Sequence, residues 1–309
     1  SSTSRGLGDV YKRQMYTALG EESLCRTCKL YPRHIEEFED VREVTLSVSC
    51  PEVARILMNK KEPMHFLSYE TDEEEEYGDF DPFLYSKLVD AREVLIDILQ
   101  DREKKLNLRA ALILAIARDL QECIDEEDIF SMDDVFDYYQ AEEGVREVKN
   151  ALAEVDYYTY SRKMFQNQYQ MEHLRADWES YLQEAEKLLY GNVNEKIDKK
   201  RYVEMIQEFH AWMAKEMPEY EIQYEQLLVY FISTYFCGAV YDGEAFAKAQ
   251  MAVVSTLLIH ELLMAQWMKQ EKVLDINDVI DTVYRYSREL EHSDSNLNLI
   301  QELLQERVN

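Results

Sequence analysis

The chain has 309 residues, with 34 Lys and Arg against 62 Asp and Glu, for a formal net charge of −28. That balance excludes a protein built to grip nucleic-acid phosphates or an anionic membrane surface, because both tasks need a cationic face. Hydrophobic residues at 46% exclude an acidic disordered tail, while 8 Gly and 5 Pro leave too little turn chemistry for a sandwich, a barrel or a Gly-rich phosphate cradle.

Residues 1–14, SSTSRGLGDVYKRQ, are Ser-rich, basic and aperiodic, unlike everything after them, and read as a translated artefact ending before Met15. Their GLGDV does not meet the G-x-G-x-x-G spacing, so it carries no dinucleotide role. Residues 15–70 form a Cys-bearing segment of mixed pattern. Within it Val41 to Val48, VREVTLSV, alternates apolar and polar residues and predicts a short strand. Cys50-Pro51-Glu52 then opens a helix to about Asn59, with Ser49 or Cys50 as cap and Pro in the first turn. Residues 71–81, TDEEEEYGDFD, hold seven acidic residues in eleven and predict an exposed linker, since like charges repel. The D-x-D-x-D-G spacing of a calcium loop is absent.

Residues 82–309 predict helix after helix. Asp81 caps and Pro82 takes the first helical position, followed by Leu84, Leu88, Ala91, Leu95, Ile98 and Leu99 at helical spacing. Leu108 to Cys123 is apolar on most faces and predicts a central helix. Ser131-Met132-Asp133-Asp134 resembles a capping box. Tyr- and Glu-rich helices are expected over 156–189 and 195–216, the second stopping at Pro218, then the most apolar pair over 219–241 and 244–270. Asp275 starts a helix to about Glu291, and Ser293 caps the last. The expected architecture is all-α, a bundle of eight to ten helices. The longest uncharged run, Gln226 to Tyr241, has 16 residues, short of the ~20 that a membrane span needs. An odd Cys count of 5 and no apolar leader point to a cytoplasmic protein without a disulfide framework.

Cys25 and Cys28 form a C-x2-C, and Cys50 follows twenty-two residues later. Thiolates at that spacing can grip one metal, with His34 as a fourth ligand for zinc; free structural thiols are the competing reading. Cys123 and Cys237 lie among apolar neighbours and read as small buried hydrophobes. His260-Glu261 is not followed by the second His of H-E-x-x-H, so His260 reads as a core histidine. The stretch Asp156 to Phe165, DYYTYSRKMF, suits core and rim packing, or a cage for an alkylammonium group. No Gly-rich strand–loop–helix marks a cofactor pocket, and no carboxylate pair singles itself out as acid and base.

The runs LGEESLCRTCKLYPR and REVTLSVSCPEVARIL, with YFISTYFCGAVYDGE and YSRELEHSDSNL further on, resemble the flagellin lysine-N-methylase family from about Met15 to the C-terminus. The resemblance implies transfer of a methyl group from S-adenosylmethionine to lysine amines of flagellin, in the bacterial cytoplasm. It also implies an iron–sulfur cluster, with Cys28 and Cys50 at the family's Cys positions and Cys25 as a third ligand. The family's upstream Cys-rich segment is replaced here by residues 1–14, so an N-terminally truncated, inactive member is one expectation. The alternative function is an acidic helical interaction protein whose Cys set holds structural zinc without catalysis.

Overall fold

The computed structural model describes residues 18, 20, 29–38, 41–70, 81–191 and 197–305. Residues 1–14, Cys25, Cys28 and the acidic run 71–80 lie outside the described residues. A hairpin comes first: β1 (Arg33–Phe38) pairs antiparallel with β2 (Val41–Leu46), Arg33 facing Leu46 and Ile35 facing Val44. The VREVTLSV pattern thus ends in a strand, as expected. Its partner RHIEEF was not anticipated, because its alternation is reversed. Ile35, Val44 and Leu46 point outward, while His34, Glu36 and Glu43 turn toward the helices.

Twelve helices of at least eight residues follow among the described residues. In order they are α1 (Pro51–Met58), α2 (Pro82–Gln100), α3 (Leu106–Asp125), α4 (Met132–Gln140), α5 (Glu142–Ala153) and α6 (Tyr157–Asn167). Then come α7 (Trp178–Tyr190), α8 (Lys199–Glu216), α9 (Tyr220–Tyr235), α10 (Ala245–Lys269), α11 (Ile276–Glu291) and α12 (Asp294–Gln305).

Several of these begin where the residues predict. Asp81 accepts from the backbone N–H of Phe83 at 2.8 Å and of Leu84 at 3.3 Å, with Pro82 inside the first turn. Asp275 and Asp278 make a reciprocal capping box, and Ser293 Oγ accepts from Asn296 N. Ser131 does not cap α4. A 3₁₀ turn precedes that helix, and the Ser131 hydroxyl donates to Asp128 at 2.7 Å instead.

The single helix expected over 156–189 breaks into α6 and α7. Between them the backbone N–H groups of Leu174 and Arg175 donate to Glu289, at 2.6 and 2.9 Å, and Glu172 N donates to Asn296. Side-chain acceptors on two distant helices, α11 and α12, therefore replace the intrahelical ones. The turn between α4 and α5 depends on Gly144, where a Cβ would come within 2.5 Å of the Tyr138 carbonyl oxygen.

The apolar pair α9 and α10 forms the centre. α10 packs against α3, α6, α7, α8, α9, α11 and α12, and its buried residues include Met251, Ile259, Leu262 and Trp267. By length and composition α10 could cross a membrane, but 72% of its apolar window is buried among these neighbours. A helix apolar on all sides is what the centre of a large bundle requires.

One ion pair sits inside that core. Glu225 on α9, fully buried, accepts from Arg109 at 2.7 Å and from Arg102 at 2.7 to 3.1 Å, and Arg109 also reaches the Leu99 carbonyl. Replacing Glu225 by Gln leaves two guanidinium groups uncompensated and is expected to destabilise the fold by about 3–5 kcal/mol. Urea unfolding measures it. A change below about 1 kcal/mol would show that the pair is solvated.

Candidate functional site

Leu46 ends β2, and Ser47-Val48-Ser49-Cys50 turns the chain into α1, with Cys50 N donating to the Ser47 carbonyl at 3.1 Å. α1 lies against α9 and α11. That packing brings SVSC against the end of α11 and the residue after it, Glu291 and His292, more than two hundred positions away in sequence.

Four side chains there form a continuous hydrogen-bonded row. His292 Nε2 lies 2.8 Å from Ser49 Oγ, Ser49 Oγ lies 2.5 Å from Ser47 Oγ, and Ser47 Oγ donates to Glu291 Oε2 at 2.5 Å. Tyr230 donates to the same carboxylate oxygen at 2.8 Å while accepting from Val48 N at 3.3 Å.

Donor counting fixes the protons. Ser47 has one hydroxyl proton and gives it to Glu291, so Ser49 must donate to Ser47, and His292 must donate through Nε2–H to Ser49. The neutral imidazole then carries no proton on Nδ1. The row runs from the ring of His292 at the surface to a half-buried carboxylate through two buried hydroxyls.

The electrostatics fit that direction. Desolvation pushes the Glu291 carboxyl above its usual range, against the hydrogen bonds from Ser47, Tyr230 and Ser287. Burial pulls the His292 imidazole down, helped by Arg288, so the ring is neutral near pH 7. Tyr230 and Tyr235 are raised well above the phenol range, first by burial and then by the Glu291 charge. Tyr31 donates to the Ser49 carbonyl at 2.8 Å, packs edge-on against His292, and is pushed up to about 12 by burial. His34 belongs here too: its ring lies 5.4 Å from that of Tyr235, its Nε2 is 2.9 Å from Glu36, and its charge acts on Glu291.

Of the expected metal ligands, Cys50 is half-buried with a free thiol at the N-cap of α1, where it makes no capping hydrogen bond. Cys25 and Cys28 lie outside the described residues. Among the described residues no group of three or more His, Cys, Asp or Glu is placed to hold a metal ion. Cys237 is buried and its thiol raised to about 12 by desolvation, and Cys123 is half-buried in α3. Both pack as hydrophobes do. His260 is half-buried, its Nε2 2.9 Å from His210 Nε2 and its Nδ1 3.5 Å from Glu261. The Tyr-rich stretch supplies Tyr158, which packs edge-on against Tyr190 and Tyr202; those two phenols donate to the buried Glu261 at 2.8 Å each.

No carboxylate stood out in the sequence because Glu and Asp are so numerous. The row is composed of residues from SVSCPE and ELEHSD, so the motifs held the signal, but nothing in one sequence pairs residue 47 with residue 291.

Residues 92–309 match the family model described as the FliB lysine N-methylase C-terminal domain. No curated protein and no solved structure shows a match. The matched region contains Glu291 and His292, and the Ser47–Cys50 turn lies before it.

A folded carboxyl held above its ordinary 4.5 keeps its proton to higher pH than the unfolded chain does. Its contribution is therefore complete below about 4.5 and is lost as pH rises through the folded value. Glu291→Gln removes this dependence. The stability of the variant minus that of the wild type should grow between about pH 4 and pH 8 in urea titrations, and a pH-independent difference would mean that Glu291 is not desolvated.

Proposed function

The chain belongs to the FliB lysine N-methylase family, and from that premise we propose that it methylates lysine side chains of flagellin in the cytoplasm, with S-adenosylmethionine as methyl donor. The observation that supports this reading most is the hydrogen-bonded row from His292 to Glu291, because methylating an amine first requires removing its proton. A lysine ammonium, with a pKa of about 10.4 in water, has no lone pair to attack with. Docking beside the row desolvates the ammonium and lowers its pKa, just as burial has raised that of Glu291, so the gap between them narrows.

In this reading His292 Nδ1 takes the ammonium proton. The Nε2 proton passes to Ser49, the Ser49 proton to Ser47, and the Ser47 proton to Glu291, which becomes neutral. Bound S-adenosylmethionine supplies an electrophilic methyl group. The lysine nitrogen forms the new N–C bond while the S–C bond breaks, its electron pair staying on sulfur. Tyr230 holds Glu291 throughout, and Tyr31 holds the Ser49 backbone so that the hydroxyl row stays in line. The acidic surface draws a Lys-bearing partner toward the site.

The described residues show no cradle shaped for adenosine, so no residue is assigned to that group. Cys25, Cys28 and Cys50 are proposed as thiolate ligands of an iron–sulfur cluster. The thiol of Cys50 is available for such a role, because nothing in α1 engages it. One described thiol does not complete a donor set, and no step runs through a cluster.

Incubating the protein with flagellin and methyl-labelled S-adenosylmethionine should label lysine. Glu291→Gln and His292→Gln should each slow labelling by about 10²–10⁴-fold, the usual contribution of a placed proton acceptor. Absence of labelling with the wild type would overturn the methylation reading, and full labelling with Glu291→Gln would overturn the proton row. Cys50→Ser should lower bound iron and acid-labile sulfide; unchanged content would remove Cys50 from the ligand set.

A further inference from the structure

On α6, well separated in sequence from the hydroxyl row, Tyr158, Thr159, Arg162, Lys163 and Gln166 line an open depression of about 330 Å³. They recur at i and i+4, so one face of a single helix builds the depression. Tyr158 is fixed in place: its hydroxyl donates to the Ile197 carbonyl at 2.8 Å, and its ring meets those of Tyr190 and Tyr202 edge-on.

Two cations line the depression, Arg162 and Lys163. Neighbouring Lys199 pairs with Asp156 at 3.1 Å and Arg201 with Glu204 at 3.4 Å. Arg162 and Lys163 enter no ion pair among the described residues, although both are half-buried, and the Arg162 Nε–H is shut away from solvent without an acceptor. Acidic groups are nearly twice as abundant as basic ones in this chain, so cations can readily find internal partners. The parts of Arg162 and Lys163 that line the depression are therefore cationic groups with no carboxylate of the described chain to neutralise them. Thr159 is already engaged, its hydroxyl donating to Asp156.

We propose that this face of α6 binds a small aromatic anion. Its carboxylate or phosphate would lie between Arg162 and Lys163, with help from the Gln166 amide, and its planar body would rest against Tyr158. Arg offers a fork that matches a two-oxygen anion, and a volume of this size admits one ring with one anionic group. The site draws nothing from the methylation reading and stands if that reading fails.

Isothermal titration of the full chain at constant ionic strength, with phenyl phosphate, benzoate and inorganic phosphate as probes, tests it. Phenyl phosphate or benzoate should bind saturably and at least tenfold more tightly than inorganic phosphate, the tighter of the two identifying the anion. Arg162→Gln and Lys163→Gln should each weaken that binding at least tenfold, with far-UV circular dichroism unchanged. Arg162→Lys keeps the charge and loses the fork, so its affinity should fall between wild type and Arg162→Gln. No saturable binding of either aromatic anion, or equal binding by Lys163→Gln, would overturn the proposal.

Discussion

A carboxylate taken out of water costs several kcal/mol unless donors replace its hydration, and among the described residues several carboxylates stand where that cost applies. Glu225, Glu261 and Glu289 are buried and Glu291 is half-buried. Each is met from another part of the chain: Glu225 by Arg102 and Arg109, Glu261 by Tyr190 and Tyr202, Glu289 by the backbone of Leu174 and Arg175, Glu291 by Ser47 and Tyr230. Of the four, only Glu225 is hydrogen-bonded by guanidinium groups. Glu289 and Glu291 receive neutral donors, and burial raises both. The first arrangement fixes a fold. The second leaves a group able to change its protonation state, which is what a proton acceptor needs.

The hairpin obeys the same constraint. Its inward face is polar because the residues it meets are polar. Glu43 takes Arg92 through two hydrogen bonds of 2.5 and 2.6 Å, and His34 lies against Tyr235 beside Glu291. Phe38 anchors one end between Tyr85 and Tyr241. Most apolar residues of the two strands are thereby turned outward, the reverse of an ordinary two-stranded ribbon on a core. The sheet aligns Ser47 and Ser49 rather than filling the interior.

Much of this was readable from local chemistry. The caps at Asp81, Asp275 and Ser293, the Cys50-Pro51 helix start, the strand after Val41 and the two central apolar helices depend on neighbours within a few residues, so sequence reports them directly. The failures share one cause. Strand β1, the break at 168–177 and the uncapped Ser131 are settled by partners that the local pattern does not contain: the helices facing His34 and Glu36, Glu289 and Asn296 for the break, and the 3₁₀ turn at Asp128. The hydroxyl row is the extreme case. Ser47, Ser49, Glu291 and His292 are ordinary residues taken singly, and only tertiary packing makes them one system. The family resemblance placed the right motifs on the page without saying that they touch.

That separation has a consequence for how the molecule is made. Ser47 and Glu291 are 244 positions apart, so on a ribosome adding ~5–20 residues per second the hairpin and α1 wait roughly 12–50 s for their counterpart. Closing so long a loop comes late, after the local helices have formed. Until then Ser47 and Ser49 lack Glu291 and His292, although Arg92 and Tyr85 on α2 are already available to Glu43 and Phe38. The hairpin is therefore completed in two stages, gaining its α2 contacts early and its hydroxyl row only once α11 has emerged.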